Sequence, residues 1–243
     1  MGSGRETDRV TTNMTLVSNP WVMTLSRRSV LATGAAGTLT LTAGCLGFVL
    51  GNEPLEFDAD QAAPAEGTLE NTGYSEETVT QETLERTEEI GGVERDFEAS
   101  IWTSTYLKAI DYRGQTRDGS AFAAVSVPGM EVVGRSVNPL DEMSNKELLE
   151  EFLSEVDGEH GDIRDIQHEN SFSLEILDDS RDVDTFVGET DLEGESIDVE
   201  IKITSFDHES DLLVLLGVFP ETFAQESANV ELLMESAEHP VEN

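Results

Sequence analysis

Ile197-Asp-Val-Glu-Ile-Lys-Ile-Thr204 and, shortly after it, Leu212-Leu-Val-Leu-Leu-Gly-Val-Phe219 are the stretches whose reading decides the fold. In the first, apolar and polar residues alternate with period two, the mark of a strand with one face on a core. Ile197, Val199, Ile201 and Ile203 are expected to point inward, and Asp198, Glu200, Lys202 and Thr204 outward. The second stretch is apolar throughout, which predicts a central strand covered on both faces. Asp207-His208 between them reads as a solvated hairpin turn.

Upstream, Ser171 to Leu177 and Val183 to Val187 read as two more strands of the same meander. Before them, Ser144 and Glu147 have capping-box spacing, and Leu148, Leu149, Phe152, Leu153 and Val156 follow at helical spacing, which predicts a helix ending at Asp157-Gly158. From Glu76, Thr78, Thr80, Leu84 and Ile90 suggest a strand; Gly91-Gly92 would turn it into a long return strand, Val93 to Tyr112. Asp118-Gly119 leads into Ala121 to Val127, and Pro128-Gly129 turns the chain toward Val132-Val133. A short helix is expected over Ala63 to Asn71, with Pro64 in its first turn and Gly73 as its stop. Ser227 would cap a last helix with Val230, Leu233, Met234 and Ala237 on one face. Strands, helix, strands, helix implies an α+β fold: a single domain over 55–240, with a twisted, mostly antiparallel β-sheet and two or three helices packed on it.

The charge is extreme: 51 acidic against 14 basic residues, a formal net −37. Four of the basic and two of the acidic residues precede Cys45, so the chain from Cys45 onward carries 10 against 49, a net −39. Such a balance reads either as disorder or as adaptation to salt, where the Debye length falls to about 3 Å at 1 M and screens self-repulsion. The acids are interleaved with regularly spaced apolar residues, and lysine is confined to Lys108, Lys146 and Lys202, which favours salt adaptation. No basic stripe is present to neutralise phosphates, so nucleic acid is not an expected partner.

The one cysteine excludes an internal disulfide, and its position gives it another role. Arg27-Arg28 stands directly before the mildly apolar run Val30 to Ala43, which ends in Thr42-Ala43-Gly44-Cys45. A charged region, an apolar region and a small-residue cleavage site make a secretory signal, and paired arginines mark its twin-arginine form. A cysteine after Ala-Gly has lipobox character, with Thr42 where such boxes more often carry Leu. The expectation is a leader over 1–44, a lipid on Cys45, a tether over 45–54 and a place on the outer face of the cell membrane. An uncleaved membrane helix from Val30 to Leu50 is the competing reading, and its glycines and threonines make it a poor span. The polar preface before Met23 is foreign to signal peptides, so Met23 rather than Met1 is the expected start of translation.

Sites of chemistry are sparse. His160 and His168 flank Asp162, yet no zinc-type spacing is met. Asp178, Asp179, Asp182 and Asp184 lack the residue order of a calcium loop. No nucleophile elbow, Walker loop or dinucleotide fingerprint occurs, so neither a catalytic residue, a metal nor a cofactor is expected. Trp102, Tyr106 and Tyr112 form an aromatic row on the long strand that reads as core or as the lining of a ligand groove.

Taken together, the leader, Leu50-Gly-Asn-Glu-Pro-Leu-Glu-Phe57, Thr72-Gly-Tyr74, Val132-Val133-Gly134 with Asn138-Pro139, and Val218-Phe219-Pro220 resemble a haloarchaeal, twin-arginine-exported lipoprotein family carrying a domain of unknown function. The resemblance implies membrane attachment in a halophile and one compact domain, and it carries over no activity. The expected function is a non-enzymatic binding or accessory module whose partner is a protein or small ligand at the membrane surface. The alternatives are an extracellular hydrolase without a recognisable motif, which needs a cleft with perturbed carboxylates, and a small-ligand-binding lipoprotein such as a transporter's substrate-binding component.

Overall fold

The computed structural model describes residues 54–90, 93–112, 114–132, 135–136, 138–155, 163–192 and 195–241. In chain order the elements are β1 (Leu55–Asp58), β2 (Ala63–Pro64), α1 (Glu66–Thr72), β3 (Ser75–Ile90), β4 (Val93–Tyr112), β5 (Gln115–Pro128), β6 (Glu131–Val132) and β7 (Arg135–Ser136). Then follow α2 (Asn145–Glu155), β8 (Arg164–Ile176), β9 (Asp179–Leu192), β10 (Glu195–His208), β11 (Asp211–Pro220), α3 (Ala224–Glu235) and β12 (Ala237–Glu238).

Eight strands join in one sheet, running β4, β5, β11, β10, β9, β8 from one side to the other. Both β1 and β3 bond to β4. A strand has only two edges. Because β5 borders β4 from Trp102 to Tyr112 and β1 borders it from Phe97 to Ser100, these two share one edge in succession, and β3 fills the other from Val93 to Leu107. Every pairing is antiparallel except β1 with β4. That leaves β3, a run of threonine and glutamate, as one border of the sheet, with acidic side chains and an irregularity between Glu76 and Thr78 that discourage pairing with another chain.

Strand β11 is where the sequence dictates most. Leu213, Val214 and Leu215 are fully buried, and successive side chains point to opposite faces, so both faces must be covered. Odd-numbered Leu213, Leu215 and Phe219 meet Tyr106, Phe122 and Phe206 from the sheet and Val230, Leu233 and Met234 from α3. Even-numbered Leu212, Val214 and Leu216 meet Ile101, Val125, Ile201 and Ile203 together with Leu148, Leu149 and Phe152 from α2. Fully burying each such side chain contributes about 1.5–3 kcal/mol relative to leaving it in water. Gly217 is where α3 comes closest: a methyl group built there would overlap the Val230 side chain.

The α+β expectation is overturned. The described residues are mostly β, with one large mixed sheet of eight strands and three short helices among them, closer to a β-sandwich than to a sheet layered with helices. The reason is strand length. β8, β9 and β10 each continue well past the apolar runs Ser171 to Leu177, Val183 to Val187 and Ile197 to Ile203, because polar residues extend the hydrogen-bonded ladder without a hydrophobic signal. β5 likewise runs straight through Asp118-Gly119, and the turn before it lies at Gly114, whose φ is 81°. The outward face expected for β10 is also covered in part: Lys202 and Thr204 are buried beside Phe206, under α3 and the residues that follow it.

Helix α2 starts where the sequence places it, and its expected end at Asp157-Gly158 lies outside the described residues. The Ser144 N–H donates to Glu147 Oε2 at 2.9 Å and the Glu147 N–H to Ser144 Oγ at 3.3 Å, the reciprocal capping box. The Ser144 N–H, joined by the Ser144 hydroxyl on the same oxygen, holds the Glu147 carboxyl below its ordinary range. α1 starts three residues later than the pattern suggests, because Ala63-Pro64 is drawn into a two-stranded ladder with Ala237-Glu238. It stops at Gly73, left-handed with φ 79°, as expected. Ser227 lies within α3 rather than capping it, and Ala237 lies beyond its end.

Gly217→Ala is expected to destabilise the domain by about 1–3 kcal/mol through overpacking against Val230. The double variant with Val230→Ala should recover part of that loss, which is not expected of two independent core substitutions. Thermal denaturation of the three variants checks it.

Candidate functional site

Two sets of polar side chains are buried on the face of the sheet that carries α3, and a third lies exposed on the face that carries α2.

The first joins the start of β11 to the segments that hold Asp60 and His239. Asp211 Oδ2 accepts the Asp60 N–H at 2.7 Å and the Ser126 hydroxyl at 3.3 Å, and lies 3.0 Å from His239 Nε2. His239 Nδ1 is 2.9 Å from His208 Nδ1, and His239 Nε2 is also 3.5 Å from Ser126 Oγ. The Asp211 and His239 side chains are only 2% and 1% exposed, and Asp211 Oδ1 is buried with no partner among the described residues. The segment holding His239 is tied to the one holding Asp60: the Val241 N–H donates to Gln61 O at 3.0 Å and the Ala65 N–H to Ser236 O at 2.9 Å.

The second set clamps α3 to the sheet. Lys108 on β4 reaches Glu226 Oε1 at 2.5 Å, Asn229 donates to the same oxygen at 3.1 Å, and Tyr74 donates to Glu226 Oε2 at 3.3 Å while also bonding Ser120. Burial raises the Tyr74 phenol well above its ordinary value; the Ser120 bond offsets part of this and neighbouring Glu226 adds to it. One turn further along α3, Glu231 pairs with Lys202 on β10, whose ammonium lies 4.8 Å from the Phe172 ring centre and 3.5 Å from Glu200. Arg181 lies over the Phe206 ring on the same face, 4.4 Å from its centre.

The third set surrounds Asp184. Ser171 donates to Asp184 Oδ1 at 2.5 Å, His168 Nε2 lies 3.1 Å from the same oxygen, and Asn145 at the start of α2 donates to Oδ2 at 2.9 Å. Burial by itself would raise this carboxyl, but Ser171, Asn145 and His168 together hold it below the ordinary aspartate range.

Two of these sets combine Ser, His and Asp, yet neither is built for nucleophilic attack. A serine hydrolase needs the carboxylate on one imidazole nitrogen and the serine on the other. Here Asp211 and Ser126 approach the same nitrogen of His239, and Ser126 is fully buried. Asp184 and Ser171 likewise share Nε2 of His168, and the serine hydroxyl is directed at the carboxylate.

The aromatic residues singled out in the sequence part company. Tyr106 is buried, 6.4 Å from the Phe122 ring, and burial pushes its phenol up to about 12. Trp102 is half-buried between Gln81 and Ser126 in the ladder, so it borders the Asp211 set. Tyr112 closes β4 opposite Gln115 in the ladder with β5. Of the aspartates near the β8–β9 turn, Asp179 pairs with Arg181 and Asp182 accepts from Ser173, while Asp184 belongs to the set above. No group of three His, Cys, Asp or Glu among the described residues is placed to hold a metal ion. Arg27, Arg28, Cys45, His160, Asp162 and the Gly91-Gly92 turn lie outside the described residues.

Sequence reasoning missed the Asp211 set altogether. His208 looked like a turn residue, and His239 was assigned no role. The only signal was Asp211 itself, an acid at the mouth of a wholly apolar strand.

The fold and these sites define a mostly-β domain whose buried polar groups join distant parts of the chain. Residues 61–238 match the family described as a domain of unknown function, DUF6517, and the chain belongs to that family. No curated protein matches the chain. Among the described residues no helix is long and apolar enough to cross a membrane.

Lys202→Ala should cost about 2–4 kcal/mol, because it removes a buried cation facing two carboxylates. Lys202→Met should cost less, since it keeps the stem on Phe172; chemical denaturation of both variants checks the order. For Asp184 the folded-state value lies below the unfolded one, so the stability it confers is present above about pH 4 and is lost as pH falls further. Asp184→Asn should therefore flatten the acid limb of a plot of unfolding midpoint against pH between 5 and 2.

Proposed function

We propose that the chain is an exported lipoprotein of a haloarchaeal type, held on the outer face of the cell membrane through a lipid on Cys45, and that its domain is a non-enzymatic binding or accessory module. The observation that carries this reading is the sequence Arg27-Arg28 followed by an apolar run and Ala43-Gly44-Cys45, ten residues ahead of the first strand at Leu55. Ten residues reach at most about 35 Å when extended, so an anchor at Cys45 would keep the domain at the membrane surface. Two acyl chains give stable attachment where one does not.

Other features support the reading. The net −39 from Cys45 onward suits molar salt and opposes binding to phosphate backbones. The Ser–His–Asp geometries favour a structural over a catalytic use of these residues, for the reasons given above. The partner proposed is a protein or small ligand at the membrane surface, with no cofactor.

Intact mass and membrane fractionation of the protein beside a Cys45→Ser variant test the proposal. The expected result is a membrane-bound native form whose mass starts at Cys45 and carries lipid, with the variant released or unprocessed. A mass that retains the leader in both forms overturns it.

A further inference from the structure

The histidine pair His208 and His239 sits where three segments distant in sequence converge, and its geometry limits how many protons it can carry. The two Nδ1 atoms are 2.9 Å apart, a distance that accommodates one hydrogen between them. On the other side of the His239 ring, Nε2 faces Asp211 Oδ2 at 3.0 Å and so carries a hydrogen of its own. With both imidazoles neutral, His208 donates to His239 and His239 donates to Asp211. With one extra proton the pair still holds: imidazolium His239 donates to Asp211 and to His208, and its charge compensates a buried carboxylate whose Oδ1 has no partner among the described residues. With two extra protons both Nδ1 atoms carry hydrogen, the bond between them is lost, and two cations face one anion in a site from which His239 cannot turn to water.

We infer that this pair is an acid-sensitive latch that holds the C-terminal segment 237–241 and the strap 59–65 against the sheet when at most one of its histidines is protonated, and lets them go when both are. Among the described residues, the groups that face the pair are few. β11 contributes Asp211 and β10 contributes His208; β5 contributes only the Ser126 hydroxyl, and the strap contributes the Asp60 N–H. The Asp60 carboxylate, Asp207, Glu209 and Glu238 lie in exposed positions around it. What the latch secures is defined by the bonds beside it: Val241 N–H to Gln61 O, Ala65 N–H to Ser236 O, and the β2–β12 ladder over buried Ala62, Ala63 and Ala237. Because the bond between the two Nδ1 atoms exists only while one of them lacks hydrogen, the hold on this segment weakens as pH falls. Histidine is the side chain that changes charge between about pH 5 and 8, which sets the interval to examine.

Hydrogen exchange of the full chain, measured by NMR at constant high salt and corrected for the intrinsic effect of pH, tests the latch. From pH 8 to pH 5 the Val241 and Ala65 amides should lose protection by about tenfold or more, while the Leu215 amide in the central strand keeps its own, the mark of local opening rather than unfolding. His208→Gln removes the second charge from a half-buried position that the core does not depend on, so this variant should keep its protection at pH 5. His168→Gln, on the opposite face, should behave as the native protein does. Protection of Val241 that stays constant across the interval overturns the latch, and so does an equal loss in the native protein and the His208→Gln variant.

Discussion

The apolar run Leu212 to Phe219 of β11 imposes the constraint from which the rest of the architecture follows. A strand with Leu213, Val214 and Leu215 fully buried needs cover above and below. Helix α2 supplies it on one face, and α3 with the apolar residues of the strap and tail on the other. Leaving one leucine of this strand without cover would forfeit about 1.5–3 kcal/mol, a large part of the margin by which a domain of this size is folded. Helices α2 and α3 sit over the middle of the sheet, where that need is greatest.

The distribution of cations follows from the same need. In a chain so rich in acid, two of the three lysines lie at the helix–sheet boundary, Lys202 buried and Lys108 half-buried, each against a glutamate of α3. Arg181 covers Phe206 on the same face. α3 itself is acidic in its first turn and has no basic residue in its last, so its charge is met by the sheet rather than within the helix. Ion pairs at the surface are screened by concentrated salt, whereas those in partly buried positions are screened much less. Cations placed inside therefore keep their effect in the medium that the acidic exterior suits.

How much of this was legible depended on whether one element's own residues recorded it. The Ser144–Glu147 box, the core stripe of α2, the long strand from Val93 to Tyr112 and the double burial of β11 were all readable, because local periodicity and capping chemistry determine them. The fold class was not. The stretch Arg164 to Asn170, with Ile166 its one apolar residue, joins β8 through the backbone ladder and polar side-chain contacts and shows no apolar alternation, so the proportion of strand was underread. The outward face of β10 was misjudged for a related reason: alternation says that two faces differ, not that the polar one stays wet. The meeting of Asp211, His208, His239 and Asp60 spans more than a hundred residues of sequence, and only the folded chain brings them together.

The parallel seam between β1 and β4 has a mechanical consequence. A pull delivered along β1 from the residues ahead of it would strain its bonds to Phe97–Ser100 side by side, in shear, rather than opening them one at a time. Behind the strand, the Ala59 N–H is held by Ser100 O, the Asp60 N–H by the Asp211 carboxylate, and Gln61 O by the Val241 N–H. Tension entering at Leu55 is thus divided within a few residues between a neighbouring strand, the central strand and the opposite end of the chain.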